Sequence, residues 1–170
     1  LYPIQSPAGK PFLVTETYHN SASYTPILVY DGTLNSKGDG DTFTMRICTF
    51  AVDNSTMKFK VKIGCDGTAM TSSASGDSTY SHAAIEYEIT PSAYVTKGGG
   101  ASYSEPTSPW DDYDFVLNYT AGTYDVVKNG TTVSTGNSMG TNASGAAFTA
   151  ATMYGWAVEA KNSSKKSTLL

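Results

Sequence analysis

Glu86 and Glu88 stand two apart in Ile85-Glu-Tyr-Glu-Ile89 and are the side chains best placed for acid–base chemistry. Successive side chains alternate along a β-strand, so both carboxylates share one face and Ile85, Tyr87 and Ile89 share the other. Two carboxylates on the open face of a β-sandwich can cleave a glycosidic bond, one as nucleophile and the other as acid. The next position on that face is Thr90, so the acidic run stops at two. The competing expectation is a solvated acidic face opposite Lys58, Lys60 and Lys62, with cross-strand pairs contributing roughly 0.2–1 kcal/mol each. That plainer expectation is preferred, and the chain is read as non-enzymatic.

Other chemistry is thinner. His19 and His82 lie far apart and in no ligand pattern. No Cys/His spacing suits zinc, and no Gly-rich loop precedes a helix to cradle phosphate. Asp31, Asp39 and Asp41 share a Gly-rich loop, and hard oxygen ligands on a flexible loop are what Ca²⁺ requires. Asp and Gly are also ordinary turn residues, which is the simpler expectation. The chain has twelve Tyr and two Trp. Tyr80, Tyr94, Tyr103 and Trp110 fall in or beside long loops, where aromatic faces either stack on sugar rings or cap the fold.

Cys48 and Cys65 are the only cysteines. Residues 42–48 and 57–63 both alternate, and Asp53-Asn-Ser55 between them is turn chemistry, so a hairpin is expected with Ile47 opposite Val61. In that register the cysteines sit about five residues apart along the strand, roughly 16 Å. A disulfide needs Cα atoms within about 7 Å. Three arrangements remain open: no disulfide, a bulge near Gly64 that turns Cys65, or strands in different sheets.

Charged residues make up only 15% of the 170, against about 25% in a typical domain. No Lys/Arg cluster could neutralise a row of phosphates, which argues against nucleic acid as a partner. No apolar run approaches the ~20 residues of a membrane span. Five Asn-x-Ser/Thr sequons occur, at Asn54, Asn118, Asn129, Asn142 and Asn162. Chance would turn roughly two of the eight Asn into sequons in a chain about one-quarter Ser and Thr. The excess, the low charge, the Tyr richness and the scarce Cys suit an N-glycosylated protein of the cell surface or exterior, and the opening on Leu1 fits a processed or a trimmed chain equally.

Strand alternation recurs and helical periodicity does not. Strands are expected over 11–19, 24–30, 42–48, 57–63, 82–90, 113–119, 123–128, 131–135 and 148–160. Lys128-Asn-Gly-Thr131 reads as a type I′ turn joining two of them. The expected fold is all-β, a single antiparallel β-sandwich of jelly-roll or immunoglobulin-like type with long Gly/Ser-rich loops and essentially no helix. Residues 1–11 contain three prolines and residues 161–170 are polar and basic. Neither composition suits burial, and strand addition to a neighbouring subunit is one expected way to hold such tails, with lattice contacts or trimmed ends the plainer alternative. Three functions follow in order: a subunit of an extracellular filament or coat that binds copies of itself, a carbohydrate-binding or adhesive module, and a glycosidase built on Glu86 and Glu88.

Overall fold

Alternating apolar and polar residues become twelve strands in the computed structural model, which describes residues 16–19, 25–48, 50–52, 58–65, 82–89, 93–95, 110–161 and 166–169. They are β1 (Glu16–His19), β2 (Thr25–Thr33), β3 (Thr42–Cys48), β4 (Phe50–Val52), β5 (Lys58–Cys65) and β6 (Ala83–Ile89). The rest are β7 (Ala93–Val95), β8 (Trp110–Asn118), β9 (Thr123–Lys128), β10 (Thr131–Ser138), β11 (Tyr154–Lys161) and β12 (Lys166–Leu169). The only helical element among the described residues is one 3-10 turn, Ala150–Thr152, and no helix there is long and apolar enough to cross a membrane.

Two antiparallel sheets, in the orders β2-β11-β5-β6 and β10-β9-β8-β3, supply one common core. Phe59, Val61 and Ile63 of β5, Ile85 and Ile89 of β6 and Val158 of β11 pack with residues of the second sheet. Phe115 and Leu117 of β8 and Tyr124 and Val126 of β9 are their main partners. Tyr87 reaches across edge-on to Phe115, with ring centroids 5.8 Å apart. Each fully buried Phe or Ile contributes about 1.5–3 kcal/mol, so this face-to-face packing is what the alternation stabilises. The expected antiparallel β-sandwich is the observed fold. A third sheet, β1-β12-β4-β7, is built from short strands and contains one parallel pair, β4 with β7.

The hairpin expected between 42–48 and 57–63 does not form. Strand β3 pairs with β8, placing Ile47 opposite Asp111, while β5 lies between β11 and β6 with Val61 opposite Val158 and Tyr87. Alternation says which face a residue takes and not which strand lies beside it. The neighbours are selected by cross-strand pairs. Arg46 grips Asp112 of β8 through two hydrogen bonds of 2.6 and 2.7 Å, and Thr44 donates to Asp114 at 2.6 Å. The turn residues Asp53-Asn-Ser55 lie outside the described residues.

Two further boundaries shift. The strand expected over 148–160 begins only at Tyr154. Before it, buried Phe148 anchors the chain and the Thr149 N–H donates to the Thr152 hydroxyl at 2.9 Å, which stabilises a turn in place of a strand. The other change is in β5. Gly64 has φ +69°, and a Cβ there would strike the Met153 side chain. Only glycine fits, and its conformation interrupts the alternation. Ile63 faces the main core, whereas Cys65 is buried with Ala83 and Ala157 in a separate cluster. The β9–β10 turn is as expected, with positive φ at Asn129 (51°) and Gly130 (77°).

Candidate functional site

Strands β5 and β6 place Glu86 and Glu88 on the outer face of their sheet, and the facing lysines come from β5. Lys58 bonds Glu88 at 2.5 Å and Lys60 bonds Glu86 at 3.2 Å. Further along, Lys62 lies 3.1 Å from Glu159 of β11, with both side chains buried. The face is a ladder of opposite charges. Its exposed rungs contribute little, about 0.2–1 kcal/mol each, while removing one partner of a buried rung strands a charge. The carboxylates expected as candidate acid and nucleophile are thus each paired with a lysine of β5.

The loop with the candidate calcium ligands is organised by N–H and O–H donors. Asp39 accepts from the backbone N–H groups of Tyr119 and Thr120 at 2.6 and 3.1 Å and from the Thr120 hydroxyl at 2.6 Å. Asp41 accepts from the Lys37 N–H at 2.8 Å. The Thr120 hydroxyl first, then its amide, hold the Asp39 carboxyl below its ordinary value, and the Lys37 amide does the same for Asp41. The Asp39 bonds fasten the loop to the end of β8, and the Asp41 bond closes the loop on itself. Asp31 lies in β2, and its side chain is outside the described part. Among the described residues no group of three or more His, Cys, Asp or Glu could hold a metal ion.

Cys48 ends β3 opposite Trp110, and Cys65 ends β5 opposite Tyr154 and Ala83. The two therefore belong to different sheets, one of the three arrangements anticipated. The Cys48 side chain lies outside the described part.

Three of the five sequons fall within the described residues. Asn118 is exposed, and its Oδ1 accepts from the Ala121 N–H at 2.8 Å. Asn142 uses Oδ1 as a hub for the Ser144 and Ala146 N–H groups and the Ser144 hydroxyl. Asn129 differs because both ends of its amide are bonded, Oδ1 to the Asp112 N–H and Nδ2 to Asp111, each at 2.8 Å. Asn54 and Asn162 lie outside the described residues, as do Tyr80 and Tyr103. Tyr94 and Trp110 are placed only by backbone, in β7 and β8.

Two features escaped sequence reasoning. Tyr30 of β2 stacks on Trp156 of β11 with centroids 6.1 Å apart and planes 18° from parallel, and Tyr30 is 44% exposed. Both residues lie in strands, outside the long loops in which the sequence reading sought exposed aromatics. The second feature is strand β10, an edge whose side chains are mostly exposed, Val133 at 49%. An edge of the other sheet, β6, is closed: its Ala84 carbonyl accepts from the Gly140 N–H at 3.0 Å and its Glu86 carbonyl from the Tyr124 hydroxyl at 2.8 Å. A depression of about 180 Å³ beside Asn118, between Gly40 and Tyr124, is smaller than the ~300–1,000 Å³ of small-molecule sites.

The chain matches no protein-family model, no curated protein and no solved structure.

Proposed function

We propose that this chain is a non-enzymatic, N-glycosylated β-sandwich of the cell surface or exterior that works through contacts, and that it assembles with copies of itself by strand addition. The observation that carries this reading is strand β10. An open edge presents unpaired backbone groups to any extended chain, and natural proteins usually blunt such edges with lysine, proline or bulges. Strand β10, Thr-Thr-Val-Ser-Thr-Gly-Asn-Ser, contains neither charge nor proline. Of those blunting devices it has only bulges, since its register against β9 shifts after Thr132 and again after Ser134. The first shift makes Val133 the extra residue of a bulge and leaves it largely exposed, an apolar contact point on a polar strand.

Strand addition supplies backbone hydrogen bonds for affinity and leaves side-chain contacts to set specificity. Of the two tails expected as donors, residues 166–169 pair with β1 and β4 of their own chain. Residues 1–11 lie outside the described part and are the donor in this reading. The test is solution mass by size exclusion with light scattering, followed by electron microscopy of large species. Intact chain is expected to form a ladder or filament, and removing residues 1–11 is expected to leave a folded monomer. A glycan-bearing monomer at every concentration overturns the proposal.

The stacked Tyr30–Trp156 pair favours a second reading, a carbohydrate-binding module. A broad, partly exposed aromatic face suits a sugar ring. In that case Tyr30→Ala abolishes retention on a glycan array while leaving the oligomeric state unchanged.

A further inference from the structure

The turn between β9 and β10 holds a second kind of chemistry. Gly130 has no side chain to shield its amide nitrogen, so that nitrogen can attack Cγ of Asn129. Ammonia leaves, a cyclic imide forms, and water reopens it to aspartate or isoaspartate; the net change is one water in and one ammonia out. Asparagine is among the thermolabile residues for this reason.

The fold restrains the reacting amide at both ends. Asn129 Oδ1 accepts from the Asp112 N–H and Nδ2 donates to Asp111 Oδ1, while the Asn129 N–H donates to the Asp112 carbonyl, all at 2.8 Å. Asp111 is only 8% exposed, and its other oxygen lies 2.9 Å from the Lys128 ammonium. Swinging the Asn129 side chain towards Gly130 means giving up both side-chain hydrogen bonds. We propose that Asn129-Gly130 is a hydrolytic modification site kept intact by this clamp, and that conversion to aspartate releases the β9–β10 turn from the start of β8.

Release follows from the chemistry of the product. Aspartate replaces the Nδ2 donor with an acceptor oxygen aimed at the Asp111 carboxylate. Two carboxylates at that distance cannot both stay charged without strong repulsion, and the single Lys128 must serve both. Isoaspartate adds a backbone atom to a two-residue turn and cannot keep its geometry. Strand β10 begins one residue later, so the modification acts on the open edge.

The experiment uses the whole chain from a host that adds no N-glycan, because Asn129 is also a sequon. Protein is incubated in mildly alkaline buffer made with ¹⁸O water, and peptide mapping reads conversion at Asn129. Conversion in the folded protein is expected to be at least about tenfold slower than in urea, since two hydrogen bonds must be given up, and Asp111→Ala is expected to remove most of the difference. Equal rates folded and unfolded overturn the clamp, and no conversion in urea overturns the site. Hydrogen exchange of β10 amides, read on Asn129→Asp and on partly converted wild type, tests the release. Exchange faster than the parent's at the same neutral pH supports it, and exchange unchanged from the parent overturns it.

Discussion

Strands β6 and β10 are both sheet edges, and they meet their surroundings in opposite ways. The outward carbonyls of β6 are taken by the Gly140 N–H and the Tyr124 hydroxyl, donors that come from beyond its own sheet. Strand β10 has β9 as its only strand neighbour among the described residues. Sealing an edge demands particular residues elsewhere: a glycine able to press against the β6 backbone and a tyrosine whose hydroxyl reaches across the core. Leaving an edge open demands only solubility, which threonines, serines and an asparagine provide. Among the described residues β10 thus keeps one side free of any strand neighbour, which is the side the proposed assembly uses.

The largest effect is expected from damage to the sealed edge. A side chain at Gly140 would strike the Ala83 carbonyl, so Gly140→Val should cost about 2–3 kcal/mol in urea unfolding. Tyr124→Phe removes one hydrogen bond and leaves the Glu86 carbonyl without this donor, a loss of about 1–2 kcal/mol.

The same tyrosine has a pH signature. Burial first, then Tyr87 and Glu86, push its hydroxyl from 10.0 up to about 12. A raised phenol is neutral in the fold, so its stability contribution is complete below pH 10 and is lost as pH rises through about 12. Alkaline unfolding should thus be shallower in Tyr124→Phe, with Tyr113 and Tyr119, also raised by burial, retaining part of the slope.

Acid acts on the loop that carries Asp39 and Asp41. Both carboxyls lie below their ordinary 3.8, so the stability they add is present above that pH and disappears as pH falls through their folded values. Asp39→Asn should flatten the acid limb of a thermal-melt series.

The smallest effect on folding belongs to the open edge. Val133→Lys should change stability by no more than about 0.5 kcal/mol. A loss on the scale of Gly140→Val would mean that β10 is part of the packed fold and would erase the contrast between the edges.

Much of the sandwich is legible in the sequence because side-chain alternation is local. The run from Met57 to Ile63 announces its buried face, and Asn129-Gly130 announces its turn. Partner choice is not local: β3 joins β8 through Arg46 and Asp112, 66 residues apart, and no short-range pattern marks that pair. The short strands β4, β7 and β12 contain too few residues to display a period. At the candidate site, the Lys–Glu ladder could be anticipated from charge alternation on β5 and β6. Glu159 could not, since its burial beside Lys62 depends on β11 lying next to β5. Tyr30 and Trp156 meet only because the same strand also pairs with β2.

The most direct measurement compares the solution mass of the natively produced intact chain with that of its Val133→Lys variant across a concentration series. The expected result is a mass that grows with concentration in the parent and stays monomeric in the variant, with both equally folded. A parent that remains monomeric throughout, or a variant that assembles as well as the parent, contradicts assembly through the β10 edge.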